Sequence, residues 1–132
     1  TDLLGRARWL QMSGRRDEAL QLFRRAVDMG LPDEHLFAAL FAAGTIEKKQ
    51  GLTHAAIATF TDLSLSPNPF RIRAYEELAM HYEHRERSFA MALECVRAAR
   101  AIEDSAALAR RQERLLARCS RAPRMTRRLA LN

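Results

Sequence analysis

The feature that most constrains this chain is a set of landmarks that returns every 36 or 37 residues. Gly14 and Gly51 are 37 residues apart, Ala19 and Ala56 are 37 apart, and Ala56 and Ala92 are 36 apart. Further apolar residues, most of them larger, surround each alanine at helical spacing. They are Leu22, Phe23, Ala26 and Val27 after Ala19, Ile57, Phe60 and Leu63 after Ala56, and Phe89, Val96 and Ala99 around Ala92. A small side chain where two helices cross lets the backbones approach, and bulkier neighbours lock into the facing helix. Repetition on this scale predicts stacked helix pairs, because one pair cannot bury its apolar face alone.

The rest of the chain can be divided on the same pattern. A first helix is predicted over 2–13, with Leu3, Ala7 and Leu10 on one stripe, Trp9 beside it and Gly14 at its end. A second begins near Arg16 and stops at Gly30 and Pro32. Asp33 is the expected N-cap of a third helix, 34–49, closed by Gly51, and Thr53 the expected cap of a fourth. The segment 64–69 carries Pro67 and Pro69 and breaks the chain, with Asn68 and Pro69 reading as the cap and first residue of a fifth helix. Residues 74–100 read as two helices joined by a short charged turn. After Glu103, Asp104 and Ser105, a seventh helix is predicted from Ala106 to about Ser120, with Leu108, Leu115, Leu116 and Cys119 as its apolar stripe. The expected organisation is all-α: repeats over 2–30, 33–65 and 69–102, a capping helix over 105–120, and a flexible basic tail over 121–132. Residues 1–120 would form one domain.

Tyr75, Leu78, Ala79 and Tyr82 follow the W-x₂-L-G-x₂-Y spacing of a tetratricopeptide first helix, and Leu40, Ala43, Gly44 and Glu47 occupy the same phases one repeat earlier. The chain therefore resembles a tetratricopeptide-repeat domain. That implies a right-handed α-solenoid of three helix hairpins and a C-terminal capping helix. A narrower resemblance lies in 75–94. Glu77-Leu78-Ala79, Tyr82-Glu83-His84-Arg85, Phe89 and Ala92-Leu93-Glu94 are similar to the helical-repeat region of YprB-like bacterial proteins. Those proteins carry a ribonuclease H-like, DEDD-type exonuclease domain N-terminal to the repeats. Ser88-Phe89 stands where Asp-Tyr is usual, and residues 14–32 fit that group's first repeat. The likeness covers roughly 5–119. It implies that any nuclease activity lies in a domain absent from this chain, which opens without methionine and reads as part of a longer protein.

Charge is distributed unevenly. Residues 1–96 carry 12 basic and 13 acidic groups, whereas 97–132 carry 10 and 3, so any electrostatic function is expected at the C-terminal end. Lys48 and Lys49 are the only lysines, so arginine is the default cation throughout. Cys95 and Cys119 lack metal-ligand or redox spacing and read as packing thiols of a reduced, cytoplasmic chain. No apolar run reaches membrane-spanning length.

For chemistry the sequence offers no phosphate-binding glycine loop, nucleophile elbow or cysteine–histidine pair, and no enzyme, cofactor or metal site is expected. His81 and His84 share a helix face with Glu77, but two histidines and one carboxylate do not complete a metal site. The turn Tyr82–Arg87 is one residue longer than the family's usual connection; a solvated turn stapled by ion pairs is the plainer reading, a contact surface the alternative.

Binding remains. The family resemblance places a groove along the first helices of the repeats: Arg8, Gln11 and Met12, then Phe41, Thr45, Lys48 and Lys49, then Arg73, Glu76, Met80, Glu83 and His84. The partner expected there is a protein, a peptide or a neighbouring domain of the same protein, with Phe41 and Met80 as apolar anchors. Leu4 and Arg8 stand where a carboxylate clamp needs lysine and asparagine, which disfavours a peptide with an acidic C-terminus. The alternative is an RNA-binding accessory domain. Arg110, Arg111, Arg114, Arg118 and Arg121 form a basic patch continued by Arg124, Arg127 and Arg128, and such a row could follow phosphates. Residues 97–132 contain no aromatic residue on which a base could stack.

Overall fold

The structure, a computed structural model, describes residues 2–121, and these form seven α-helices with no strand among them. They are α1 (Asp2–Met12), α2 (Arg16–Asp28), α3 (Asp33–Lys49), α4 (Thr53–Ser64), α5 (Arg71–His84), α6 (Phe89–Ile102) and α7 (Ala106–Arg121). Every helix expected from the periodicity is present. The differences lie at helix starts. Pro32, not Asp33, is the residue before α3, and Leu52, not Thr53, precedes α4; neither helix has a side-chain cap. Asp33 instead sits in the first turn of α3 with Glu34, where negative charge complements the unpaired N–H groups. Asn68 folds an Asx turn, accepting the Phe70 N–H at 2.8 Å, and this delays α5 to Arg71.

The turns inside the repeats share a geometry. Gly14 (φ +79°) and Gly51 (φ +75°) take the left-handed conformation that glycine adopts without steric cost. Arg15 N–H then reaches the Leu10 carbonyl and Leu52 N–H the Glu47 carbonyl, both at 2.9 Å, which closes α1 and α3 in the same way. Between α5 and α6 the left-handed residue is Arg87 (φ +53°), and Ser88 N–H donates to Tyr82 at 2.7 Å. That bond spans one residue more than its counterparts, which is the extra residue read from the sequence.

The chain divides into two compact units with the boundary between Ala74 and Tyr75, inside α5. In the first unit α1 packs on α2, α2 on α3 and α3 on α4. Leu4, Ala7 and Leu10 of α1 meet Ala19, Phe23 and Ala26 of α2 and Ala39, Ala43 and Ile46 of α3 in one core cluster. Ala56, Phe60 and Leu63 are buried on α4. Gly44 lies so close to α4 that an added Cβ would stand 2.9 Å from the Phe60 ring.

In the second unit α6 packs on α7. Leu78, Ala79, Ala92, Leu93, Val96, Ala99, Leu108 and Leu115 are buried. Ser105 caps α7 by accepting the Leu108 N–H at 3.1 Å. The stripe predicted for α7 is narrower than expected. Leu108 and Leu115, seven residues apart, are buried, Cys119 is half-buried, and Leu116 is turned to solvent. The helix runs through Arg121, so that residue is helical rather than part of a tail; the rest of the predicted tail lies outside the described residues. The three repeat alanines Ala19, Ala56 and Ala92 are all buried.

Candidate functional site

In the first unit, the residues placed along the groove are not alike. Arg8 and Met12 of α1 are exposed, Met12 at 88%, and Gln11 is half-buried. Lys48 and Lys49 are exposed at the end of α3. Phe41 is structural as well as partly accessible. Its ring stacks on Phe70 with centroids 5.2 Å apart, meets Phe60 edge-on at 5.9 Å, and carries the exposed Arg73 guanidinium 5.8 Å above it. The Thr45 hydroxyl is turned back onto the Phe41 carbonyl at 2.9 Å.

Beneath these lies a polar cluster that the sequence did not reveal as a cluster. Glu47 of α3 is buried, and both its carboxylate oxygens accept from Nη2 of Arg24 on α2 at 2.8 Å. The buried Thr59 hydroxyl of α4 donates to Glu47 Oε1 at 2.7 Å and also contacts Arg24. Three helices are thereby tied through one carboxylate, whose lone pairs would otherwise be buried without partners. Nothing local in the sequence pairs Glu47 with a residue 23 positions earlier.

In the second unit, Glu76 and Met80 are half-buried and His84 is exposed. Glu83 is not a surface acid. It is fully buried, and Arg114 of α7 holds it through Nε–Oε2 at 3.0 Å and Nη2–Oε1 at 2.8 Å. Hydrogen bonding from Arg114 keeps the Glu83 carboxyl below the usual carboxylate range and raises the Arg114 guanidinium in turn. His84 Nε2 stands 3.6 Å from the same carboxylate. Glu83 thus departs from its expected place in a groove, and Arg114 departs from its place in a row of open cations.

The remaining basic residues divide again. Arg110 and Arg121 are exposed. Arg111 is half-buried, with a buried Nη1 that has no hydrogen-bond partner. Arg118 lies 5.2 Å from the Phe89 ring centroid, and Arg87 lies 5.4 Å from it. Phe89 of α6 thus stands beside Arg118, its ring already in contact with two guanidiniums. His81, the other histidine of the Glu77 face, is engaged with Glu86 at 2.5 Å across the charged turn. Among the described residues no group of three or more His, Cys, Asp or Glu side chains could hold a metal ion, and no helix is long and apolar enough to cross a membrane. Both cysteines are free thiols, and burial pushes the Cys95 thiol up to about 11.

No protein-family model, curated protein or solved structure matches the chain.

Proposed function

We propose that this chain is a tetratricopeptide-like, right-handed α-solenoid serving as a non-catalytic protein-interaction scaffold in the cytoplasm. It would be the C-terminal part of a larger ribonuclease H-like, exonuclease-type protein. One observation carries the reading: helix–turn–helix landmarks recur at 36–37 residues, and Ala19, Ala56 and Ala92 are buried at the matching positions. Repeats of this kind use side chains on the first helix of each pair to engage extended or helical segments of a partner. The exposed Arg8, Met12, Lys48 and Lys49 supply such side chains in the first unit.

The test is capture of a partner by the isolated chain, repeated with Lys48→Glu, Lys49→Glu and Met12→Ala. These positions are exposed, so the variants should keep the parent's helical circular dichroism while losing the partner. Phe41→Ala is a poorer probe, because it also removes ring contacts to Phe60 and Phe70. Full retention of the partner by all three surface variants would exclude the groove.

Nucleic-acid binding by α7 is the second reading, favoured by the exposed Arg110 and Arg121. Its test is an RNA salt titration with Arg110→Gln and Arg121→Gln. Phosphate contacts make log affinity fall linearly with log salt, with a slope that shrinks as contacts are removed. An unchanged slope removes the reading. Arg114 is unsuitable for this purpose because its loss strands Glu83.

A further inference from the structure

The outer face of α1 carries an apolar stripe whose counterpart one repeat later is covered by a helix. Trp9 stands 37 residues before Ile46, Gly5 before Ala42 and Arg6 before Ala43. Ile46 and Ala43 are fully buried, and with the partly buried Ala42 they belong to the core where α3 meets α2. On α1 the same positions are open. Trp9 is 61% exposed, and an added Cβ on Gly5 would meet nothing within 4 Å. Gly5, Trp9 and Met12 follow i, i+4, i+7 spacing and so form one stripe, opposite the buried Leu4, Ala7 and Leu10. A large flat indole beside a glycine gap is a knob and a hole on one helix face.

The borders of the stripe define the partner. Arg6 flanks it on one side and Arg8 on the other; both are exposed, and neither forms an ion pair with a described side chain. A second copy of α1 laid on this face would bring arginine against arginine in either orientation, which like-charge repulsion opposes. We infer that the outer face of α1 docks an amphipathic α-helix whose apolar stripe is bordered by Asp or Glu. Such a helix would cover Trp9 as α2 covers Ile46, with a bulky residue in the gap over Gly5. The inference shares Arg8 and Met12 with the groove reading and goes beyond it in Gly5 and Trp9, so Lys48 and Lys49, not Met12, are the positions that tell the two apart.

Trp9 is the only tryptophan of the chain and so reports on its own burial. The probe is a 16-residue helical peptide with Leu and Phe at i, i+3, i+4 and i+7 and Glu on both flanks. A second peptide has the same stripe and Lys flanks. Binding of the Glu-flanked peptide should blue-shift Trp9 emission. By the anisotropy of labelled peptide, its affinity should exceed that of the Lys-flanked peptide by at least ten-fold at low salt, with the gap narrowing as salt is raised. Gly5→Leu, which fills the gap in open space, and Trp9→Ala should each weaken binding about ten-fold while helical circular dichroism is unchanged. Lys48→Glu and Lys49→Glu should leave it unchanged, so failure of the groove and failure of this face are separable. Equal affinity for the two peptides, no emission shift, or a shift that grows with protein concentration in the absence of peptide would each overturn the inference; the last would assign the face to a second copy.

Discussion

Arg114 reaches from α7 to grip the carboxylate of Glu83 on α5 with two parallel hydrogen bonds, at 2.8 and 3.0 Å, and the two ends of this pair differ in exposure. Glu83 is fully buried, whereas the Arg114 side chain is 48% exposed. A guanidinium that loses its partner can turn to water. A buried carboxylate cannot, and it must either remain charged in an apolar setting or take up a proton.

The asymmetry predicts that Arg114→Ala is the more damaging change. It should cost about 2–4 kcal/mol, below the full penalty for a buried pair because one partner is half in water. Glu83→Gln should cost about 1–2 kcal/mol, and the double variant less than the sum. The pH dependence follows from the sign of the shift. With its folded pKa depressed, Glu83 stabilises the fold above about pH 4.3, the unfolded value, and loses that contribution as pH falls through the folded value. In Arg114→Ala, burial becomes the largest influence on the carboxyl and raises it against the smaller opposing pull of His84 and Arg111, so the penalty should be larger at pH 7 than at pH 4. Urea unfolding of the parent and the variant at both pH values measures this. A penalty independent of pH would mean that Glu83 is not the group being stranded.

The second buried carboxylate predicts a graded series. Arg24→Ala leaves Glu47 with the Thr59 hydroxyl as its one remaining side-chain partner in the cluster and should cost about 2–3 kcal/mol; the Arg24 side chain, 37% exposed, can itself be spared without a new cavity. Thr59→Val keeps shape and removes one donor, for about 1–2 kcal/mol. Because both act on the same carboxylate and share its Oε1, their effects should not add. Thermal melts of the two single variants and the double variant decide whether the cluster behaves as one unit.

These two pairs mark where the sequence stops being legible. The helices could be read because their signals are local: alanine at each crossing, apolar residues at helical spacing, glycine after α1 and α3. The extra residue before Arg87 could also be read, by counting against the repeat. Glu47–Arg24 and Glu83–Arg114 join residues 23 and 31 positions apart, and nothing near either glutamate distinguishes it from a solvated helix acid. Read locally, Glu83 therefore belongs to the groove and Arg114 to the basic patch. Caps failed for a related reason. Asp33 and Thr53 have the right chemistry, but the chain enters α3 and α4 one residue earlier, through Pro32 and Leu52. Trp9 reads from the sequence only as a neighbour of the core stripe, because the apolar pattern of α1 does not say which of its faces the other helices cover.

Burial of Cys95 gives a prediction in the alkaline range. Its thiol is raised to about 11, with burial as the largest cause and Glu94 adding to it. The fraction of thiolate at pH 8 is then about a thousandth, against roughly a quarter for an ordinary cysteine. In a Cys119→Ser background, alkylation of Cys95 by iodoacetamide at pH 8 should be at least a hundred-fold slower in the folded chain than in urea. The raised folded value also means that stability present below about pH 8.5 is lost as pH rises toward 11. Rapid labelling of the folded chain would mean that α6 opens at Cys95 far more readily than its neighbours Leu93 and Val96 suggest.

One substitution should have opposite signs at two helical glycines. Glycine in a helix interior costs about 1 kcal/mol relative to alanine, so propensity alone favours Gly→Ala at both Gly5 and Gly44. At Gly5 the new methyl meets open space, and Gly5→Ala should stabilise the chain by about 0.5–1 kcal/mol. At Gly44 the methyl would stand 2.9 and 3.0 Å from Phe60 ring carbons and 3.2 Å from the Thr59 Cγ2. Neither neighbour can retreat freely. The Phe60 ring is buried and meets Phe41 edge-on, and the Thr59 hydroxyl is committed to Glu47. Overpacking of this kind costs typically about 1–3 kcal/mol, enough to cancel or exceed the propensity gain. Gly44→Ala should therefore lower the melting temperature while Gly5→Ala raises it, and Thr59→Ser, which removes Cγ2 but keeps the hydroxyl on Glu47, should restore part of the loss. If Gly44→Ala raises the melting temperature as Gly5→Ala does, α3 and α4 do not approach as closely as Gly44 and Phe60 require.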